Sequence, residues 1–318
     1  MRRGARDVRK FIGARTAIAL NTDRDHLRDV RVREALSLAM DFEWQNRVMR
    51  HGTQARALSY FGKSRFAADG LPSADELAVL RRFADRLPPR LFTERFALPI
   101  SKGFGNDRDA LARARALLDE AGWRVRDGRL RDAAGNAFEL EILGQDPAMQ
   151  RVLLPYADAL RLLGIEASLK LVDNVAAVNL LRARRFDAYV RSHEALNPPL
   201  GELRNFFGSR AADIALSGNV AGIRDPVVDA LIEHAEGAGT LEEVTVACRA
   251  LDRVLLWGFY HVPLNRGDLE RFLYWDKFGR PDGEAVARYE YLVGSSVRLL
   301  DSWWFDADRA RRLPALRN

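Results

Sequence analysis

The 318-residue chain holds a single cysteine, Cys248, which excludes an internal disulfide and any thiolate metal cluster. Its five histidines, His26, His51, His193, His234 and His261, are dispersed and form no His-x-x-x-His pair, so a zinc site on one helix face has no support. No apolar run approaches membrane-spanning length. Residues 11–20 are too short, and too interrupted by Arg15 and Thr16, to form the apolar region of a signal peptide, so the polypeptide as written should remain where it is made. A Gly-x-Ser-x-Gly nucleophile elbow is missing. Lysine is scarce as well: the 50 basic residues are nearly all arginine, against 44 acids, for a net charge of +6. Acids and arginines alternate, as in Asp29-Val30-Arg31-Val32-Arg33-Glu34, which describes solvated helix faces rather than a phosphate-tracking stripe. Nucleic acid is therefore not an expected partner.

A hydrophobic fraction of 47% is enough for a folded core of one large or two ordinary domains. Asp29 can cap an amphipathic helix over 30–50, with Val32, Ala35, Leu36, Ala39 and Met40 on one face. Ser73 with Glu76 forms a capping-box pattern for a second helix, and Asn106 is placed to cap a third that ends at Gly122. Asp127-Gly128 predicts a hairpin turn within 124–131. Then come a strand at Phe138, Leu140 and Ile142, a helix over 147–163, a strand from Ile165 to Leu171, a helix over 175–184, and a strand at Phe186, Ala188 and Val190. Strand-helix-strand-helix-strand order predicts an α/β layer with these three strands adjacent and parallel. Helices follow from Pro226 and after Thr240, whose partner Glu243 completes a capping box. Strands are expected at Tyr260–Leu264 and Phe272–Tyr274.

The motifs that could carry chemistry are few. Gly103-Phe104-Gly105 precedes a helix, but Arg108 stands where a dinucleotide turn needs its third glycine and Pro99 interrupts the preceding apolar run. An ordinary glycine loop is the better reading. Cys248, between Val244 and Leu251 at helical spacing, reads as a small buried hydrophobe. Two features stand above background. One is a run of aromatics near the end: Trp257, Phe259, Tyr260, Phe272, Tyr274, Trp275, Phe278, Trp303, Trp304 and Phe305. About half of these should be core, the rest a candidate cleft wall. The other is the loop Arg191-Ser192-His193-Glu194-Ala195-Leu196-Asn197. It follows a strand of the parallel sheet, at the end where open α/β sheets bind ligands. A merely solvated loop would look the same, and both readings stand at this point. Catalytic residues, cofactor and metal are all expected to be absent.

Several segments, in order, resemble the dipeptide- and oligopeptide-binding proteins of ABC importers, solute-binding protein family 5. They are Asn21 with the run from Asp29 to Asp41, Ala114-Arg115-Ala116-Leu117-Leu118-Asp119-Glu120-Ala121-Gly122-Trp123, Leu163-Gly164-Ile165, Phe186-Asp187-Ala188-Tyr189, Phe206-Phe207-Gly208-Ser209, and Asp225-Pro226 leading to Ile232. Asp41-Phe42-Glu43-Trp44, Tyr274-Trp275-Asp276-Lys277-Phe278-Gly279 and Asp301-Ser302-Trp303-Trp304 are similar to the subgroup associated with microcin C and longer peptides. The resemblance implies the C-terminal lobe of a type II periplasmic-binding-protein fold, a mixed and largely parallel sheet flanked by helices, with the signal peptide and N-terminal lobe lacking. It divides the chain into a leader over 1–16, a ligand-binding lobe over 17–267 and a return segment over 268–318.

The implied function is capture of an oligopeptide or peptide-like ligand and hand-off to ABC permease subunits in the membrane, in the periplasm, by a protein monomeric when full length. Arg191, Ser192, His193, Glu194 and Asn197 are the ligand-binding residues it suggests. Many family members place an aspartate in this loop to pair with the peptide amino terminus. Here no aspartate matches and Glu194 is the nearest substitute; without that partner a buried free ammonium is costly, which favours a blocked or longer peptide. A small α/β enzyme using the same loop is the alternative reading.

Overall fold

The computed structural model describes residues 3–9, 15–101, 107–193, 200–266, 269–281 and 303–313. β1 (Arg3–Arg9) leads to β2 (Arg15–Leu20), followed by α1 (Asp25–Arg28), α2 (Val30–Leu38), α3 (Phe42–Arg50) and the short β3 (Ala55–Arg56). The single helix expected over 30–50 is two. Asp41 leaves the helical region and its carboxylate accepts from the Trp44 N–H, capping α3 and so breaking the run. Two charges in α2 are also not solvated. Arg33 is buried and donates to the carbonyls of Leu27, Arg28 and Gly258, while buried Glu34 accepts two hydrogen bonds from Arg90, at 3.0 and 2.6 Å. Partners distant in sequence satisfy them, which alternation of charge does not reveal.

Next come α4 (Ala74–Leu80), α5 (Arg90–Thr93) and α6 (Arg108–Glu120). Ser73 caps α4 as expected, but the Glu76 carboxylate turns inward to the buried Arg253 instead of closing the box. Asp107, not Asn106, caps α6, accepting from the N–H groups of Asp109 and Ala110. Asn106 and the Gly103–Gly105 turn lie outside the described residues. The hairpin of β4 (Arg124–Arg126) and β5 (Arg129–Arg131) turns at Asp127-Gly128, both at positive φ (50° and 75°), as the dipeptide predicts.

β6 (Glu139–Gly144), α7 (Gln150–Leu162), β7 (Glu166–Leu171), α8 (Asn174–Arg182) and β8 (Ala188–His193) form the α/β layer. β6 lies between β7 and β8 and is parallel to both, with Glu139 opposite Glu166 and Ile142 opposite Ala188. Next come α9 (Leu200–Phe207), α10 (Pro226–Glu236), α11 (Leu241–Trp257) and β9 (His261–Arg266). β2 is inserted antiparallel between β8 and β9, giving a mixed sheet in the order β3-β9-β2-β8-β6-β7. β10 (Leu269–Trp275) pairs antiparallel with β1 along its length, and β11 (Phe278–Gly279) pairs with β12 (Trp304–Phe305).

Alternation along the strands divides the apolar side chains between two faces. Leu140 and Ile142 join the large core with Ile18, Leu20 and Val262 and the buried faces of α2, α7, α10 and α11. Cys248 is part of that core, and burial pushes its thiol up to about 12. Trp257, Phe259 and Tyr260 belong there too, whereas Trp304 and Phe305 are exposed. On the opposite face Leu143, Phe186 and Tyr189 form a smaller cluster, packed with Val172, Leu180, Leu181 and Val220. No helix among the described residues is long and apolar enough to cross a membrane.

Candidate functional site

The smaller apolar cluster is open on one side. There the carboxyl ends of β6 and β8, the start of antiparallel β2, the end of β9 and the chain before α10 enclose a cleft of about 1020 Å³. Gln145 and Asp146 extend from β6, Tyr189, Val190, Arg191 and Ser192 from β8, and Thr16 from β2. Its volume is at the upper limit of small-molecule sites, roughly 300–1,000 Å³, so it accommodates a ligand of several residues.

The polar groups of the cleft are held by local bonds. Tyr189 donates through its hydroxyl to Gln145 Oε1 at 2.5 Å, and Gln145 Nε2 donates to Asn174 Oδ1 at 3.0 Å. Thr16 and Ser192, opposite each other across β2 and β8, are joined hydroxyl to hydroxyl at 3.2 Å. Asp146 caps the turn entering α7 by accepting from the Ala148 N–H.

At the base of the cleft Asp23 receives Arg184 and Arg224, and Arg224 also reaches Asp213 at 2.7 Å. Burial acts to raise the Asp23 carboxyl, but the two guanidinium groups outweigh it and hold the acid below the usual range. Gly222, at φ +73°, leaves room for Arg184: a Cβ there would lie 2.4 Å from its Nη2. This knot ties the segment after β2 to the turn after α8 and to the loop over 211–224. That loop carries Ile214 and Leu216, both exposed at the cleft mouth, with Leu216 in the left-handed region at φ +61°. Such a conformation costs of order 1–3 kcal/mol for a residue with a side chain.

Of the five residues suggested by the sequence, Arg191 and Ser192 line the cleft. The backbone of His193 ends β8, opposite Arg15. Glu194 and Asn197 lie outside the described residues. Gln145 and Asp146 were missed, although the carboxyl end of β6 is equivalent to that of β8 and the same rule would have found them. The contributions of Leu181, Arg184, Asp213, Ile214 and Leu216 had no signal, because no periodicity marks the loop that carries most of them. Among the described residues no cluster of His, Cys, Asp and Glu is arranged to hold a metal.

The profile of the bacterial extracellular solute-binding proteins, family 5 (middle region), matches residues 8–213. The chain is similar to uncharacterized protein YejA of Escherichia coli K12, 35% identical over 300 residues that make up 94% of this chain and 48% of that protein. It is equally similar, at 35% over 300 residues, to probable peptide-binding protein YejA of Agrobacterium fabrum, covering 94% of this chain and 47% of the other. The chain thus spans about half the length of the curated relatives it matches. In structure it resembles the oligopeptide-binding protein AppA of Bacillus subtilis, solved with a nonapeptide, at a TM-score of 0.64 and 17% identity, over 95% of this chain and 52% of that one. That likeness confirms the α/β fold with its mixed, helix-flanked sheet.

Proposed function

The chain belongs to family 5 of the bacterial extracellular solute-binding proteins, and from that premise we propose that its cleft at the carboxyl ends of β6 and β8 binds an oligopeptide or peptide-like ligand. The full-length protein then delivers the ligand to ABC permease subunits in the membrane, acting in the periplasm as a monomer, with 17–267 as the ligand-binding lobe. The observation that carries this reading is the composition of the cleft. Apolar surface from Leu181, Phe186, Val220, Ile214 and Leu216 lies beside hydrogen-bonding groups of Thr16, Gln145, Tyr189, Arg191 and Ser192. A peptide needs both, since it presents an amide donor and a carbonyl acceptor at nearly every residue and side chains of mixed polarity.

The Agrobacterium relative's name supports the ligand class, and the motifs at Asp41–Trp44 and Tyr274–Gly279 support the subgroup associated with microcin C and longer peptides. Family and structural neighbours are solute-binding proteins, not enzymes, which leaves the enzyme reading without support. The test is an NMR titration of the ¹⁵N-labelled chain with a pool of oligopeptides, and in parallel with an oligosaccharide of similar length. Saturable shifts with peptide alone are expected. Shifts with the oligosaccharide alone, or with neither, overturn the proposal.

A further inference from the structure

Five arginines and two aspartates line the cleft: Arg50, Arg182, Arg184, Arg191 and Arg224 against Asp146 and Asp213. Two of the arginines are neutralised, Arg184 by Asp23 and Arg224 by Asp23 and Asp213. Asp146 accepts from the Ala148 N–H of its own turn, so one carboxylate stands in the cleft against the three remaining arginines. Arg50, Arg182 and Arg191 have no carboxylate partner among the described residues. Of these three, Arg191 is built into place. Its Nη1 donates to the Gly218 carbonyl at 2.6 Å, and its guanidinium lies over the Phe206 ring, 5.1 Å from the centroid. Phe206 is in turn pressed on Gly218, where a Cβ would meet the ring at 2.5 Å, so only glycine keeps the ring and the guanidinium there. Burial lowers the Arg191 pKa, Tyr189 opposes that effect, and Arg15 on the neighbouring strand adds to it. A guanidinium nevertheless stays charged in proteins. The outcome is a fixed, partly desolvated cation lining the cleft, with no carboxylate partner among the described residues.

Resting on the peptide reading above, we propose that the cleft selects acidic ligands, and that Arg191 receives a carboxylate of the bound peptide, with Arg50 and Arg182 adding attraction at the rim. The planar fork of Arg191 matches two carboxylate oxygens, and prior fixation by Phe206 and Gly218 lowers the ordering cost of that pair. The oxyanion could equally come from a phosphate group, and the experiment separates the two.

Two oligopeptides blocked at both ends, identical except for Glu in one and Gln in the other, are titrated into the ¹⁵N-labelled chain and into Arg191→Gln. Glutarate and inorganic phosphate serve as competitors. The Glu peptide should bind the unaltered chain at least about tenfold more tightly. In Arg191→Gln that preference should collapse while the Gln peptide is little affected. Glutarate should compete better than phosphate. Equal binding of the two peptides overturns this inference and leaves the peptide reading standing. Binding of glutarate with no binding of either peptide overturns the peptide reading and leaves the oxyanion site standing. A preference undiminished in Arg191→Gln removes Arg191 from the site, and better competition by phosphate overturns the carboxylate assignment. If Arg191→Gln fails to fold, Arg191→Lys decides. Loss of the bidentate fork with charge retained should weaken the Glu preference, and an unchanged preference overturns the proposal.

Discussion

Asp252 is fully buried on α11, where its carboxylate accepts from the Ser59 hydroxyl at 2.8 Å and from the N–H groups of Tyr60 and Ala68 at 2.8 and 2.9 Å. It thereby fixes the chain over 59–68 against the helix, and the next residue, Arg253, fixes 69–71 through three carbonyls. Burial raises the Asp252 carboxyl from 3.8 to about 6, against the pull of those hydrogen bonds and of Arg15, which lies over the Tyr60 ring. A carboxyl raised in the folded state adds stability that is complete below its unfolded value and is lost as pH rises through its folded value. Stability measured by urea unfolding should therefore fall between pH 4 and about 6.5 more steeply in the unaltered chain than in Asp252→Asn. The asparagine lowers stability at every pH, because its amide nitrogen cannot accept from a backbone N–H, so the slope is the quantity to compare. Parallel slopes would assign the pH dependence to other groups. None of these pairings was legible in the sequence. Asp252, Arg253, Glu76, Arg33 and Glu34 look like the solvated charges around them, and only contacts across long stretches of chain show otherwise.

Elements were more readable than residues, because periodicity and capping are local properties. The β6-α7-β7-α8-β8 series, the Asp127-Gly128 hairpin and the Thr240–Glu243 capping box all follow from short-range pattern, and the box is closed from both sides. The misreading at 30–50 has the same origin. Apolar spacing continues across Met40, Asp41 and Phe42, while the break depends on Asp41 turning its carboxylate to the backbone of α3. Asp41→Ala should cost about 1 kcal/mol, the usual worth of an N-cap. The two helices should nevertheless stay separate, since Phe42 and the buried face of α2 remain packed in the core. Chemical denaturation gives the first quantity, and amide exchange at 40–44 the second. Slower exchange there in the variant would mean that the cap alone holds the helices apart.

At the scale of the whole molecule, the site depends on strand order, which the sequence conveyed only in part. Three parallel strands were readable. The insertion of β2 beside β8, with β9 on its far side, was not, because antiparallel pairing between segments far apart in the chain, such as Thr16 with Ser192 and Ile18 with Val262, leaves no local trace. The rule that ligands lie beyond carboxyl strand ends pointed to Arg191, Ser192, His193, Glu194 and Asn197, of which Arg191 and Ser192 line the cleft. The opposing wall, the loop over 211–224 held by the Asp23–Arg184–Arg224 knot, was found only in three dimensions. A smaller cavity of about 680 Å³, bordered by Arg129, Glu139, Arg161 and Glu166, lies at the other end of the same sheet and serves as an internal control. The most direct test of the central claim is hydrogen–deuterium exchange of the chain with and without a saturating peptide that binds in the NMR titration. Slowed exchange is expected at 145–149, 189–192 and 212–220, with 128–130 and 164–168 unchanged. Protection confined to 128–130 and 164–168, or binding with no protection in the three cleft segments, would contradict it.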